Sequence, residues 1–117
     1  MHLLPGDAPL DLTPYAALRL DLASVLTGQP TGSRSSLRVM LVANGVDTSY
    51  DYPSLILSVD PTLKTYRLPL EDFVQDGWGK AVNLSEYLKR VTSVEVRTEK
   101  VGSEGSMTLD NMLLEKK

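Results

Sequence analysis

Residues 37–44, LRVMLVAN, constrain the fold of this chain more than any other stretch. Every second position, beginning at Leu37, is apolar, as a strand with one face in a core requires. The positions between them include Met40 and Val42, so the second face is also partly apolar. A strand that is buried on both faces lies in the middle of a sheet. The segment therefore predicts a sheet that is built outward from this strand.

Shorter stretches with alternating faces lie on both sides of it. Residues 17–22 alternate leucines with Arg19 and Asp21, and four further strands are predicted at residues 55–59, 63–68, 94–97 and 107–114. The turn at residues 60–62 predicts a hairpin between the strands that flank it. Residues 83–90 predict one short helix, with Asn83 or Ser85 as its N-cap. Many short strands separated by Gly and Pro turns favour an all-β fold, an antiparallel β-sandwich.

The length of 117 residues predicts one folded domain. Pro5, Pro9 and Pro14 make residues 1–14 an extended lead-in, and residues 15–117 form the predicted domain. The net charge of −3, with acidic and basic residues interspersed, argues against a nucleic-acid partner. No apolar run approaches the roughly 18 residues of a membrane span, so we expect no membrane partner.

Catalytic chemistry has little support in the sequence. His2 is the only histidine, there is no cysteine, and no phosphate-binding glycine loop or nucleophile elbow is present. The adjacent carboxylates Glu71 and Asp72 are better explained as turn residues than as an acid–base pair. We therefore expect no enzyme activity.

Three pieces of the sequence, in this order and at this spacing, carry a family resemblance. The first is LRVMLVAN followed by YDYPSLILSV, and the second is TYRLPLEDF followed by a Gly-Trp loop. The third is NLSEYLKRVTSVEVRTE followed by GSMTLDNMLL. Together they resemble the carbohydrate-binding modules with the galactose-binding-like jelly-roll fold, especially the β-glucan-binding group, and the resemblance covers roughly residues 15–114.

The resemblance implies a jelly-roll sandwich and a non-catalytic function. Such a module would bind a β-linked glucan or a related plant cell-wall polysaccharide on a concave sheet face. It would be the accessory domain of a secreted parent enzyme, a glycoside hydrolase, and so extracellular. Family members begin with further strands that this sequence does not contain. The resemblance therefore implies a shortened sandwich, a missing piece, or strands supplied by another chain.

In the resembling modules, acidic residues of those first strands meet a final-strand aspartate, here Asp110, at a structural calcium ion. Calcium takes about six to eight oxygen ligands, so Asp110 alone makes a poor site. We therefore expect no cofactor.

Aromatic residues are the candidates for stacking on sugar rings. Trp78 stands between Gly77 and Gly79, and its alternative role is to cap one end of the core. Tyr50 and Tyr52 would share a face if their segment is extended, and their alternative role is packing at the rim of the sheet.

Charged groups beside these rings would hydrogen-bond sugar hydroxyls. The candidates are Arg38, Asn44, Asp47, Asp51, Asp76 and Arg97, and the leading ones are Arg38, Asp51 and Asp76. The alternative for each is a solvated strand face. Tyr15, Tyr66 and Tyr87 are predicted to be core residues.

A second function class stays open at this point. The sandwich could be a structural or interaction domain that docks to a neighbouring domain. It could also self-associate through an open edge strand, because an unpaired edge offers free backbone groups to another chain.

Overall fold

The computed structural model describes residues 10–26, 35–43, 45–98 and 105–117. Within them the chain forms six strands and one short helix, α1 (Leu84–Tyr87). Two 3₁₀ turns follow strand β4 and helix α1, at Leu70–Asp72 and Leu88–Arg90. The strands are β1 (Tyr15–Leu26), β2 (Ser35–Val42), β3 (Ser54–Val59), β4 (Lys64–Pro69), β5 (Ser93–Thr98) and β6 (Gly105–Lys116).

The strands form two three-stranded antiparallel sheets, in the orders β4-β1-β6 and β3-β2-β5. The prediction of an all-β, antiparallel fold is confirmed. The central position predicted for residues 37–44 is also confirmed, because β2 lies between β3 and β5. Asn44, at the end of the predicted strand, lies outside the described residues.

One hydrophobic core joins the two sheets. Three leucines of β1 and the inward row of β2 are buried in the same cluster, together with residues of β4 and β5. Met40 and Val42 are 5% and 7% exposed on the other face of β2, so the second half of this strand is covered on both sides, whereas Ser36 is exposed on that face. The core residues from the two central strands are Leu18, Leu20, Leu22, Leu37, Val39 and Leu41.

The predicted hairpin at residues 60–62 is wrong. Strand β3 pairs with β2, whereas β4 pairs with β1, so the connection crosses from one sheet to the other. The Asp60 carbonyl accepts the Ser24 N–H at 3.0 Å, and the Asp60 N–H donates to the Tyr66 hydroxyl oxygen at 2.9 Å. A tight turn with proline can join two strands of one hairpin or two strands of different sheets. The connection between the sheets is favoured because it buries both Val59 and Leu68 in the core.

Helix α1 begins after Asn83, one of the two predicted N-caps, and the Asn83 side chain accepts the Glu86 N–H at 3.2 Å. Tyr87 is 2% exposed. Its hydroxyl donates to the Leu41 carbonyl at 2.8 Å and accepts the Ala43 N–H at 3.0 Å. The helix is thereby fixed to the end of β2.

The described end of the lead-in belongs to the domain. Leu12 is 1% exposed, and the Leu10 N–H donates to the Val91 carbonyl at 2.8 Å. Residues 1–9 of the predicted lead-in lie outside the described residues.

The side of the β3-β2-β5 sheet that faces away from the core is called here the outer face. Cross-strand partners lie on the same face, so the register defines its rows. Val74 forms a single antiparallel bridge with Ser54 at the outer edge of β3. The rows are Ile56–Arg38–Arg97, Ser54–Met40–Glu95 and, at one end, Val42–Ser93.

Candidate functional site

A buried carboxylate organises the loop at residues 75–80, called here the tryptophan loop. Asp51 is 2% exposed. Its Oδ1 accepts the Asp76 N–H at 2.9 Å, and its Oδ2 accepts the N–H groups of Gly77 at 2.9 Å and Gly79 at 3.0 Å. The backbone of the loop therefore wraps around one side chain.

The electrostatics of Asp51 follow from this arrangement. Burial raises the pKa of the carboxyl group, but the backbone N–H groups of Gly79, Gly77 and Asp76 lower it further than burial raises it. The net effect is a pKa below the ordinary value of 3.8. Asp51 is therefore a charged anchor, because hydrogen bonds to the ionised form favour that form.

Glycine is required at two positions of the loop, for a different steric reason at each. Gly77 has a φ of +102°, which L side chains rarely adopt. Gly79 packs against the anchor so closely that a Cβ there would collide with the Asp51 Cβ and the Thr48 carbonyl oxygen. Only glycine fits both positions without strain.

Gln75 closes the other side of the loop. Its Nε2 donates to the Asp51 carbonyl at 2.9 Å and to the Lys80 carbonyl at 2.7 Å. Its Oε1 accepts the Val82 N–H at 3.0 Å. Sequence reasoning missed Gln75, because a single glutamine in a turn carries no signal of which backbone groups it will meet.

Trp78 is presented by this rigid loop and is 64% exposed. Its indole therefore does not cap the core, which was the alternative role. An exposed large aromatic ring on a loop fixed by buried hydrogen bonds is typical of a recognition surface.

Arg38 and Asp76 meet on the outer face. The Arg38 Nη1 donates to the Ser54 Oγ at 2.6 Å and to the Asp76 Oδ2 at 3.2 Å. The Arg38 side chain is 12% exposed and that of Asp76 is 48% exposed. Arg38 therefore holds the carboxylate in place, and Asp76 is the more accessible partner of the pair.

Tyr50 and Tyr52 are neighbours in space, although their segment is not extended as expected. Ser49 and Tyr50 have positive φ values of 54° and 66°. The two rings lie 6.3 Å apart between centroids with an interplanar angle of 85°. Tyr50 is 80% exposed, whereas Tyr52 is half-buried.

Tyr52 lies on the outer face. The Leu41 N–H donates to the Pro53 carbonyl at 2.9 Å, which continues the β2–β3 register and places Tyr52 opposite Val42. Burial raises the pKa of the Tyr52 hydroxyl, and the charge of Glu95 raises it further, whereas Arg97 lowers it. Both charged residues belong to rows of the same face.

The predicted site residues thus fall into two groups. Tyr50 and Tyr52 form one pair beside the outer face, Arg38 and Asp76 form a separate pair on it, and Trp78 projects from the loop that carries Asp76. Asp51 lies beneath them, with both oxygens engaged by the loop backbone.

The final-strand aspartate lies beside one other carboxylate, that of Asp21. Asp110 pairs with Asp21 across β1 and β6. The Asp21 carboxylate already accepts the Thr65 hydroxyl and the Asn111 amide, and Asp110 accepts the Asn111 N–H. Among the described residues, no three His, Cys, Asp or Glu side chains are placed to hold a metal ion together.

A search of the described ranges for a helix long and apolar enough to cross a membrane finds none. Comparison of the chain with protein-family models, with curated proteins and with solved structures gives no match.

Proposed function

We propose that this protein is a non-catalytic carbohydrate-binding module for a β-linked glucan or a related plant cell-wall polysaccharide. The observation that carries the proposal is the exposed Trp78 on a loop fixed by the buried Asp51. A flat aromatic ring packs against the C–H face of a pyranose ring, and a preorganised loop avoids the entropy cost of ordering it on binding.

The outer face supplies the polar part of this recognition. Asp76 has one oxygen held by Arg38, so its carboxylate is oriented before a ligand arrives. Arg38 and Asp76 carry opposite charges. Arg97, in the same row as Arg38, and Glu95, in the next row, also carry opposite charges. Balanced pairs of donors and acceptors suit a neutral ligand that is rich in hydroxyl groups.

The proposal includes a fold and a setting. The two sheets around one core would be a jelly-roll sandwich of the galactose-binding-like type. The module would act outside the cell beside a glycoside hydrolase domain that it brings to the polysaccharide.

Affinity electrophoresis against β-glucans, xyloglucan and mannans tests the function. We expect at least one polymer to retard the protein, and Trp78→Ala and Tyr52→Ala to reduce the retardation. Leu113→Ala is the matched control, because Leu113 is 61% exposed on the outward side of the other sheet. No retardation by any polymer, or equal loss in all three variants, would exclude the proposal.

A second candidate function is self-association or docking through an edge strand. Strand β6 is twelve residues long and, within the described ranges, pairs only with β1. Its free edge offers backbone groups to another strand. Analytical ultracentrifugation across a concentration series tests this candidate, and a strictly monomeric profile contradicts self-association.

A further inference from the structure

The two tyrosines form a corner and not a platform. With an interplanar angle of 85°, Tyr50 and Tyr52 cannot both stack on one flat stretch of a polysaccharide chain. One ring can face a sugar while the edge of the other forms a side wall. The pair is therefore suited to enclose one ring more than to support a row of rings.

A depression of about 440 Å³ lies against this corner. It is called here the aromatic corner and is lined by the end of β2, the turn at residues 45–49 and the two tyrosines. Its volume is at the lower end of the roughly 300–1,000 Å³ found for small-molecule sites. A space of this size is large enough to admit a sugar ring with its hydroxyls. The apolar and aromatic lining residues are Val42, Ala43, Val46, Tyr50 and Tyr52.

The turn beside the corner is held in an uncommon conformation. Ser49 and Tyr50 are consecutive non-glycine residues with positive φ, which costs free energy. Tyr50 is 80% exposed, so burial of its ring in the core does not offset this cost. Asp51, buried directly after it, fixes the backbone from below. The strained turn thus keeps an exposed tyrosine beside Tyr52.

Polar groups are available at the mouth of the depression. Asp47 lines it and is exposed, with one oxygen on the Ser49 N–H and the other 3.7 Å from the Lys80 Nζ. Ser49, which is exposed and carries a hydroxyl group, also lines it. Both groups can meet sugar hydroxyls without breaking a buried contact.

The aromatic corner lies at one end of the outer face, where Tyr52 stands opposite Val42. Arg38 and Asp76 lie further along the same face. A chain that contacts Asp76 and Trp78 could therefore present a projecting unit to the corner.

We propose that the aromatic corner is a subsite for one pyranose ring that projects from the bound polysaccharide, either as a side branch or as a chain end. Trp78, with Asp76, contacts the main chain of the same ligand. This inference rests on the proposed function and adds the class of ligand, because a polymer without branches or accessible ends leaves the corner empty.

Isothermal titration calorimetry with three ligands tests the inference. The first is a xyloglucan oligosaccharide, the second a linear cello-oligosaccharide with the same backbone length, and the third a long linear mixed-linkage β-glucan with few ends. Preference for the first ligand over the second identifies a branch in the corner. Equal binding of the first two, with weaker binding of the third per binding site, identifies a chain end.

Two variants separate the corner from the main chain contact. In the branch or the chain-end case, we expect Tyr50→Ala to remove the preference, a loss of about tenfold for the favoured ligand. Trp78→Ala should weaken all ligands by a similar factor. Tyr50→Phe, which keeps the ring, should retain the preference. Circular dichroism checks that each variant is folded, as expected for two exposed side chains.

The outcomes distinguish failure of the aromatic corner as a subsite from failure of the proposed carbohydrate-binding function. Equal weakening of all three ligands by Tyr50→Ala, or no effect on any of them, overturns the aromatic corner while the proposed function stands. No binding of any ligand by the wild-type protein overturns both.

Discussion

At the scale of single residues, Asp51 has the clearest task. From the sequence it is a candidate for hydrogen bonds to a ligand. The structure places its carboxylate under three backbone N–H groups of the tryptophan loop. We therefore expect Asp51 to affect a ligand through the shape of the loop.

The first prediction concerns the charge of Asp51. The pKa of Asp51 in the folded protein lies below the ordinary value of 3.8. The Asp51 carboxylate therefore stabilises the fold at pH values above its pKa in the unfolded chain, and this stabilisation is lost as the pH falls through its pKa in the folded protein. We expect the fluorescence anisotropy of Trp78, the only tryptophan, to stay constant from neutral pH to about pH 4 and then to fall. Asp51→Asn should lower the anisotropy at every pH.

Asp72→Asn is the control for this experiment, because it replaces a carboxylate by an amide at an exposed position. Equal anisotropy in Asp51→Asn and the wild type at neutral pH would show that the loop does not depend on the carboxylate.

Tyr87 carries the second prediction. Burial raises the pKa of its hydroxyl to about 12, so the group remains a neutral donor at ordinary pH. Tyr87→Phe leaves the Leu41 carbonyl and the Ala43 N–H without this partner. The free energy of unfolding should fall by about 1–3 kcal/mol in urea denaturation. Tyr50→Phe, at an 80% exposed residue, should leave it unchanged; equal effects would contradict the prediction.

At the scale of elements, the tryptophan loop depends on a close approach between two backbone segments. Gly79→Ala forces a methyl group into the Asp51 Cβ and the Thr48 carbonyl. We expect a loss of about 1–3 kcal/mol in stability, as for other overpacked sites, and weaker glycan binding. Gly45→Ala is the matched control for stability, since a Cβ there meets nothing within 4 Å. A fully stable Gly79→Ala variant would contradict this packing.

The strands and the helix were largely predictable, but one connection was not. Alternation places the strands because each has one face in a core, and the Asn83 cap marks the start of α1. The turn at residues 60–62 was assigned to a hairpin, yet it links two sheets. Turn residues indicate that the backbone bends, and the same bend occurs in a hairpin and in a connection between two sheets.

At the scale of the whole molecule, the two sheets share one core and should unfold together. Leu20 belongs to β1 and Leu37 to β2, and both are completely buried. We expect Leu20→Ala and Leu37→Ala each to lower the free energy of unfolding by about 2–5 kcal/mol. Far-ultraviolet circular dichroism and Trp78 fluorescence should give coincident transitions in both variants. Separate transitions for the two sheets would contradict a shared core.

The sequence by itself determined the all-β class, the central position of β2 and the aromatic residues that are candidates for binding. These properties are local, because they depend on which side chains alternate along a strand and where a turn interrupts them. They could be assigned without knowing which strands are neighbours.

Only the tertiary structure decided how residues far apart in the chain meet. It joined Asp51 to the backbone of residues 76–79, placed Asp76 on Arg38 and turned the two tyrosines into a corner. It also separated β3 from β4. Such contacts depend on long-range packing and on backbone hydrogen bonds, which any residue type can make, and so the sequence pattern carries no record of them.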